Sequence, residues 1–180
     1  KVLTPVDWDN TKLFVEYGPG IGTFCQPILD CMRPDTILLV IDLNEDFIAY
    51  LRDTIRDSRF IAVHGSAADV NEIIQSFGFA YADYILSGLP FSTLPAGVGP
   101  AIAAATHRIL RPGGAFLVYY DRAKDTVTVF DGRETAPAAT TPELFFKDGK
   151  VMDFVSAWQS GRSVGVPGQI ALYKAAHDAS

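Results

Sequence analysis

Short apolar runs and segments of helical period alternate along this chain as far as about residue 120, and that alternation predicts its architecture. The runs are Lys12–Tyr17, Ile37–Ile41, Phe60–Val63, Tyr84–Leu86 and Ala115–Tyr120. Between them, Thr23–Met32 carries Phe24, Ile28 and Leu29 on one stripe and stops at Arg33-Pro34-Asp35. Asn44 is a good N-cap for a helix from Glu45 to about Arg56, with Phe47, Ile48 and Leu51 facing inward. A short helix follows over Asp69–Phe77. The alanine-rich Val98–Leu110, with Ile102, Thr106 and Ile109 on one face, is stopped by Arg111-Pro112-Gly113-Gly114. This rhythm predicts an α/β fold, a doubly wound and mostly parallel sheet with helices on its faces.

Past residue 120 the rhythm breaks. Asp121–Asp125 reads as a turn and Thr126–Phe130 as an alternating strand, so a hairpin is expected, with Val127–Phe130 antiparallel beside the fifth strand. Residues 131–180 have weak periodicity and many Gly and Pro. A loosely packed tail is expected there, with one helix around Val151–Gln159 and another near Gln169–His177. The predicted division is a core over 1–122 and a tail over 123–180 that is not an independent domain.

The first strand runs into Glu16-Tyr17-Gly18-Pro19-Gly20-Ile21-Gly22. Glycines at alternate positions let a backbone approach a ligand without Cβ obstruction, and the helix that follows presents unpaired N–H groups. The second strand ends at Asp42, where a carboxylate can accept both hydroxyls of a ribose. A dinucleotide fingerprint spaces its last two glycines three apart, whereas here the spacing is G-x-G-x-G, with Pro19 between the first two and Ile21 between the last two. With its acid, its G-x-G-x-G and its strand-terminal acid, the chain resembles the class I S-adenosylmethionine-dependent methyltransferases, which have a Rossmann-like fold. That resemblance implies S-adenosylmethionine as cofactor, held by Glu16, Tyr17, Gly18, Gly20, Gly22 and Asp42. Tyr17 and Phe24 read equally as core packing.

Two further loops follow strand ends, where ligands of such sheets bind. His64-Gly65-Ser66-Ala67-Ala68-Asp69 resembles the family's adenine-contacting loop, with Ser66 in a slot that is acidic in many relatives. Ser66 and the Ala67 backbone are its candidate contacts; Asp69 reads equally as a helix N-cap. Ser87-Gly88-Leu89-Pro90-Phe91 sits where amine methyltransferases carry Asn-Leu-Pro-Tyr or similar, and in this form resembles the bacterial phospholipid N-methyltransferases. The likeness covers about residues 1–118. It implies methyl transfer to an amine nitrogen, with Ser87, Leu89, Pro90 and Phe91 on the acceptor side. A proline-set backbone can aim a carbonyl at an amine, and an aromatic face attracts a nitrogen gaining positive charge. No convincing base emerges: His64, His107 and His177 read more simply as surface or packed histidines, and Tyr119 and Asp121 have no further support.

Charge narrows the acceptor. Lys and Arg number 15 against 21 Asp and Glu, a net charge of −6, which opposes broad contact with a phosphate backbone. A small-molecule or lipid amine is the expected acceptor, not nucleic acid, with peripheral membrane contact open. No run reaches the roughly 20 apolar residues of a membrane span and no secretory signal is evident, so a cytoplasmic location is expected. Cys25 and Cys31 lack histidines at metal spacing and read as two buried free thiols; no metal site is expected.

The tail adds a second resemblance, over about residues 113–180. Asp131-Gly132-Arg133-Glu134-Thr135-Ala136-Pro137 and Ser160–Gly168 are similar to segments near the start of the γ-glutamyltransferase large subunit. There the arginine, at the position of Arg133 here, holds a substrate α-carboxylate; without the rest of that site, Arg133 reads more simply as a solvated surface arginine and the glycines as loop punctuation. The family's catalytic threonine lies far downstream and has no counterpart here, so transpeptidase activity is not expected. The chain reads as a junction of two families at Gly113–Tyr119. Because it starts at Lys1-Val2-Leu3 without an amphipathic leading helix, an inactive cofactor-binding module is the second reading. A non-catalytic γ-glutamyltransferase fragment is the third.

Overall fold

The computed structural model describes residues 3, 6–91, 94–121 and 126–131, with side chains as far as Val118. Six strands form one sheet, β1 (Leu13–Tyr17), β2 (Ile37–Asp42), β3 (Phe60–His64), β4 (Ala82–Ser87), β5 (Leu110–Asp121) and β6 (Thr126–Asp131), in the order β3-β2-β1-β4-β5-β6. The first five are parallel, and β6 pairs antiparallel with β5 as the hairpin pattern predicts. Among the described residues four α-helices accompany them: α1 (Cys25–Cys31), α2 (Glu45–Thr54), α3 (Val70–Ser76) and α4 (Val98–Ile109).

β1 is buried along its whole length because it lies at the centre of the sheet with helices on both sides. Side chains on a strand alternate between faces. Leu13, Val15 and Tyr17 therefore join the apolar cluster under α3 and α4, with Leu39, Ile41, Ile85 and Phe116. Phe14 points the other way, to Leu38, Val40, Leu86 and the inward sides of α1 and α2. The sheet order reverses between β1 and β4, and in open α/β sheets a ligand crevice lies at that reversal, outside the carboxyl ends of the strands.

The expected boundaries shift at several points. α1 begins at Cys25, two residues late, because Gly22 and its neighbours are spent on a turn. Phe47 is 37% exposed, whereas Ile48 and Leu51 are buried. The inward line of α2 runs Ile48–Leu51 and on to Ile55, leaving Phe47 about 100° round from Ile48 at its edge. Cys25 is buried but Cys31 is exposed: six residues on, it lies about 120° away around the helix. Arg111–Gly114 does not separate α4 from a later strand; it bulges within β5, between the pairings Ala82–Leu110 and Tyr84–Ala115. The expected helices at 151–159 and 169–177, like Arg133 and His177, lie outside the described residues.

Candidate functional site

The loops that leave β1, β2, β3 and β4 are tied to one another just past the strand ends. The Gly18 N–H donates to the Ile41 carbonyl at 2.9 Å, Gly65 N–H to Asp42 carbonyl at 2.9 Å, and Gly88 N–H to Tyr17 carbonyl at 2.9 Å. Each bond continues the ladder one step beyond its strand. The glycine turn, Asp42 and the Gly65 and Gly88 loops are thereby brought to one edge of the sheet.

Within the turn, Gly18, Gly20 and Gly22 all have positive φ, at 63°, 55° and 83°. Such φ values are costly for any residue with a Cβ. At Gly22 space is also short, because a Cβ would lie 2.6 Å from Leu51 Cδ2 and 3.3 Å from Cys25 Sγ. At Gly20 a Cβ would meet nothing within 4 Å. The turn is thus packed below and open above Gly20, the shape of a cradle. Asp42 stands beside it, half-buried, accepting from Gly20 N–H at 3.3 Å through Oδ2 and from Asn44 N–H at 2.9 Å through Oδ1. A carboxylate has about four acceptor positions, so these two bonds fix its orientation and leave positions for hydroxyls.

Glu16 and Tyr17 diverge. Glu16 is 2% exposed on the α1/α2 side, where the Cys25 thiol donates to Oε2 at 3.5 Å. Burial raises its pKa to about 7; the thiol bond lowers it and Asp42 raises it further. Tyr17 is fully buried on the opposite face, its hydroxyl 3.0 Å from Thr106 Oγ1 and its ring tilted against Phe116. The Tyr17 side chain is packed in the core, and its carbonyl accepts from the Gly88 N–H. Burial likewise raises the phenol pKa. Phe24 is partly buried and packs on the α1/α2 cluster.

In the loop after β3, Ser66 Oγ accepts from Ala68 N–H at 3.1 Å and caps a single 3-10 turn over Ala67–Asp69. Ala67 puts its Cβ into the core, leaving its backbone to face the loop. Asp69 makes no capping bond, so the cap here is Ser66. His64 is exposed and its Nε2 lies 3.0 Å from the Leu43 carbonyl, linking the β2 and β3 loops. His107 is buried within α4.

In the loop after β4, Ser87 is fully buried and its Oγ accepts from Leu89 N–H at 3.2 Å. Phe91 N–H returns to the Leu89 carbonyl at 3.0 Å, a three-residue turn centred on Pro90, whose fixed φ suits it. The Phe91 ring is 8% exposed and edge-on to Phe116 at 6.4 Å. With Leu94, Pro95, Ala96, Gly99 and Pro100 it lines an apolar hollow of about 50 Å³. Among the described residues no group of His, Cys, Asp or Glu is arranged to hold a metal, and no helix is long and apolar enough to cross a membrane.

Sequence reasoning missed Cys25 as the partner of Glu16 and Asp83 as a buried anchor. Asp83 Oδ2 accepts from the backbone N–H groups of Lys12 at 2.6 Å and Leu13 at 2.9 Å, and Oδ1 pairs with Arg111. An acid directly before the apolar run Tyr84–Leu86 was the available signal.

An open α/β sheet in this order, with a glycine cradle after β1 and an acid ending β2, defines the class. A solved S-adenosylmethionine-dependent methyltransferase from Mesorhizobium loti superposes with a TM-score of 0.51 at 19% identity, covering 65% of this chain and 50% of that one. The fold is that of the S-adenosylmethionine-dependent methyltransferases. The ornithine lipid N-methyltransferase of Singulisphaera acidiphila is 32% identical over 145 residues, 74% of this chain and 76% of the relative; the chain belongs to this methyltransferase family. Its end carries a separate match: residues 112–179 fit the Gamma-glutamyltranspeptidase family model. Over 60 residues the chain is 45% identical to the glutathione hydrolase proenzyme of Bacillus subtilis, spanning 32% of this chain and 10% of the proenzyme. The chain therefore joins a methyltransferase part to a γ-glutamyltranspeptidase-like segment, and spans about half the length of the solved methyltransferase and a tenth of the proenzyme.

Proposed function

We propose that this chain binds S-adenosylmethionine in the glycine cradle and transfers its methyl group to an amine nitrogen, on a phospholipid-like headgroup or a similar small amine. The observation that carries this reading is the open space over Gly20 beside a carboxylate already oriented by the Gly20 and Asn44 N–H groups. Asp42 would accept the ribose hydroxyls, the Gly18–Gly22 backbone would line the amino-acid end, and Ser66 with the Ala67 backbone would meet the adenine. The bound cofactor supplies an electrophilic methyl on a sulfonium. The protein's own contribution is then alignment and charge compensation. Ser87 holds the loop at Leu89, and the turn at Pro90 fixes which carbonyls face the acceptor. Phe91 and the hollow beside it give the acceptor an apolar wall.

The proposed division is residues 1–122 as the methyltransferase core and 123–180 as the γ-glutamyltranspeptidase-like tail. The lipid-like acceptor is favoured by the similarity to the Singulisphaera ornithine lipid N-methyltransferase and by the net charge of −6, which disfavours nucleic acid. We place the chain in the cytoplasm, in peripheral contact with lipid. Incubation of the whole chain with methyl-labelled S-adenosylmethionine and a panel of aminolipids and small amines tests the reading. Label on an amine acceptor is expected. Label on none of them, with cofactor binding intact, favours an inactive cofactor-binding module.

A further inference from the structure

Beneath the cradle, two groups that are both out of water meet: the Cys25 thiol from the first turn of α1 and the Glu16 carboxylate from β1, 3.5 Å apart. The thiol lies directly under the turn. A Cβ on Gly22 would come within 3.3 Å of Cys25 Sγ, and Cys25 N–H donates to the Gly22 carbonyl at 3.1 Å. The same sulfur therefore borders the space a Gly22 side chain would take and bonds the acid behind it, while the space above Gly20 is open. The charged or titratable groups that face Glu16 are Cys25 on α1 and Asp42 at the end of β2; its register neighbours Val40 and Leu86 carry no charge. S-adenosylmethionine, the cofactor that the resemblance assigns to Glu16 among others, carries both a sulfonium and an ammonium.

Resting on the cofactor reading above, we propose that Cys25 is a positioning residue: its S–H donates to Glu16 and holds that carboxylate, in its ionised form, under the glycine turn as the counter-charge to a cationic ligand. Burial favours the neutral acid, and the thiol bond and a bound cation favour the anion. Ligand binding and loss of the Glu16 proton to solvent are then coupled, so affinity rises with pH through the carboxyl's midpoint. The thiol itself stays protonated, since burial and the adjacent acid push its pKa up. It serves as a donor, not as a nucleophile.

The test is a carbon-13 carboxyl titration of the whole chain, with the Glu16 signal assigned by its loss in Glu16→Gln. The expected midpoint is about 7 in the wild type. It should rise by about one pH unit in Cys25→Ala, and return toward the wild-type value in Cys25→Ser, which restores a donor. An identical midpoint in wild type and Cys25→Ala overturns the proposal. Calorimetry of S-adenosylhomocysteine, which keeps the ammonium, should give an affinity profile whose midpoint moves with the titration. Loss of affinity by the same factor at every pH in Cys25→Ala marks a merely structural thiol and also overturns it. Absence of binding at every pH overturns the cofactor reading and the counter-charge role with it, while the titration separately decides the Cys25–Glu16 coupling.

Discussion

Glu16 and Tyr17 are adjacent in sequence and face opposite sides of the sheet, and much of the site follows from that alternation. Glu16 is pressed against α1, where its pKa is about 7 against an ordinary 4.5. Between those two pH values the unfolded chain gives up a proton that the folded chain keeps, so folding stability falls as pH rises from about 4.5 to about 7 and then levels. Glu16→Gln removes this dependence. Denaturant melts of the two proteins should diverge by up to about 3 kcal/mol between pH 4.5 and 8, with the variant gaining. Parallel stability curves would show that the acid ionises normally. The glycines divide in the same way. Gly20→Ala should cost about 1 kcal/mol of stability, from φ alone, yet remove most affinity for S-adenosylhomocysteine. Gly22→Ala adds an overlap with Leu51 and should cost about 2–3 kcal/mol in thermal or chemical unfolding. The motif residues were legible because glycine and acid spacing is a local property. The direction of Tyr17 was legible only through strand register, and the role of Cys25 depended on how α1 docks, which no local pattern encodes.

Strands and helices were read well where one signal dominated. Asn44 caps α2 with bonds from Asp46 N–H at 2.9 Å and Phe47 N–H at 3.2 Å, and Asn44→Ala should cost about 1 kcal/mol. Competing signals misled at the bulge. Proline and two glycines in Arg111–Gly114 read as a stop, but strand pairing resumes on both sides of them, at Leu110 and Ala115. Asp83 helps to explain why: it holds the starts of β1 and β5 together through Lys12 N–H, Leu13 N–H and Arg111. Removing it strands three donors. Asp83→Ala is expected to destabilise by about 3 kcal/mol, measured by chemical denaturation. A loss below about 0.5 kcal/mol would mean that water replaces the carboxylate at no cost.

At the scale of the whole molecule, five parallel strands in a methyltransferase order end in an antiparallel β6, which lies within the residues that match γ-glutamyltranspeptidase. The junction is therefore inside the sheet: β5 begins before the matched segment and β6 lies wholly within it. The alternating Thr126–Phe130 pattern made this pairing legible, because an edge strand needs only period two and a neighbour. On the proposed function, the cradle and Asp42 hold S-adenosylmethionine. Calorimetric titration of S-adenosylhomocysteine into the whole chain and into Asp42→Ala tests it most directly. Saturable one-site binding to the wild type is expected, with a loss of about 100-fold in the variant, the equivalent of two hydrogen bonds to a charged group. No binding to the wild type, or equal affinity in the variant, would contradict it.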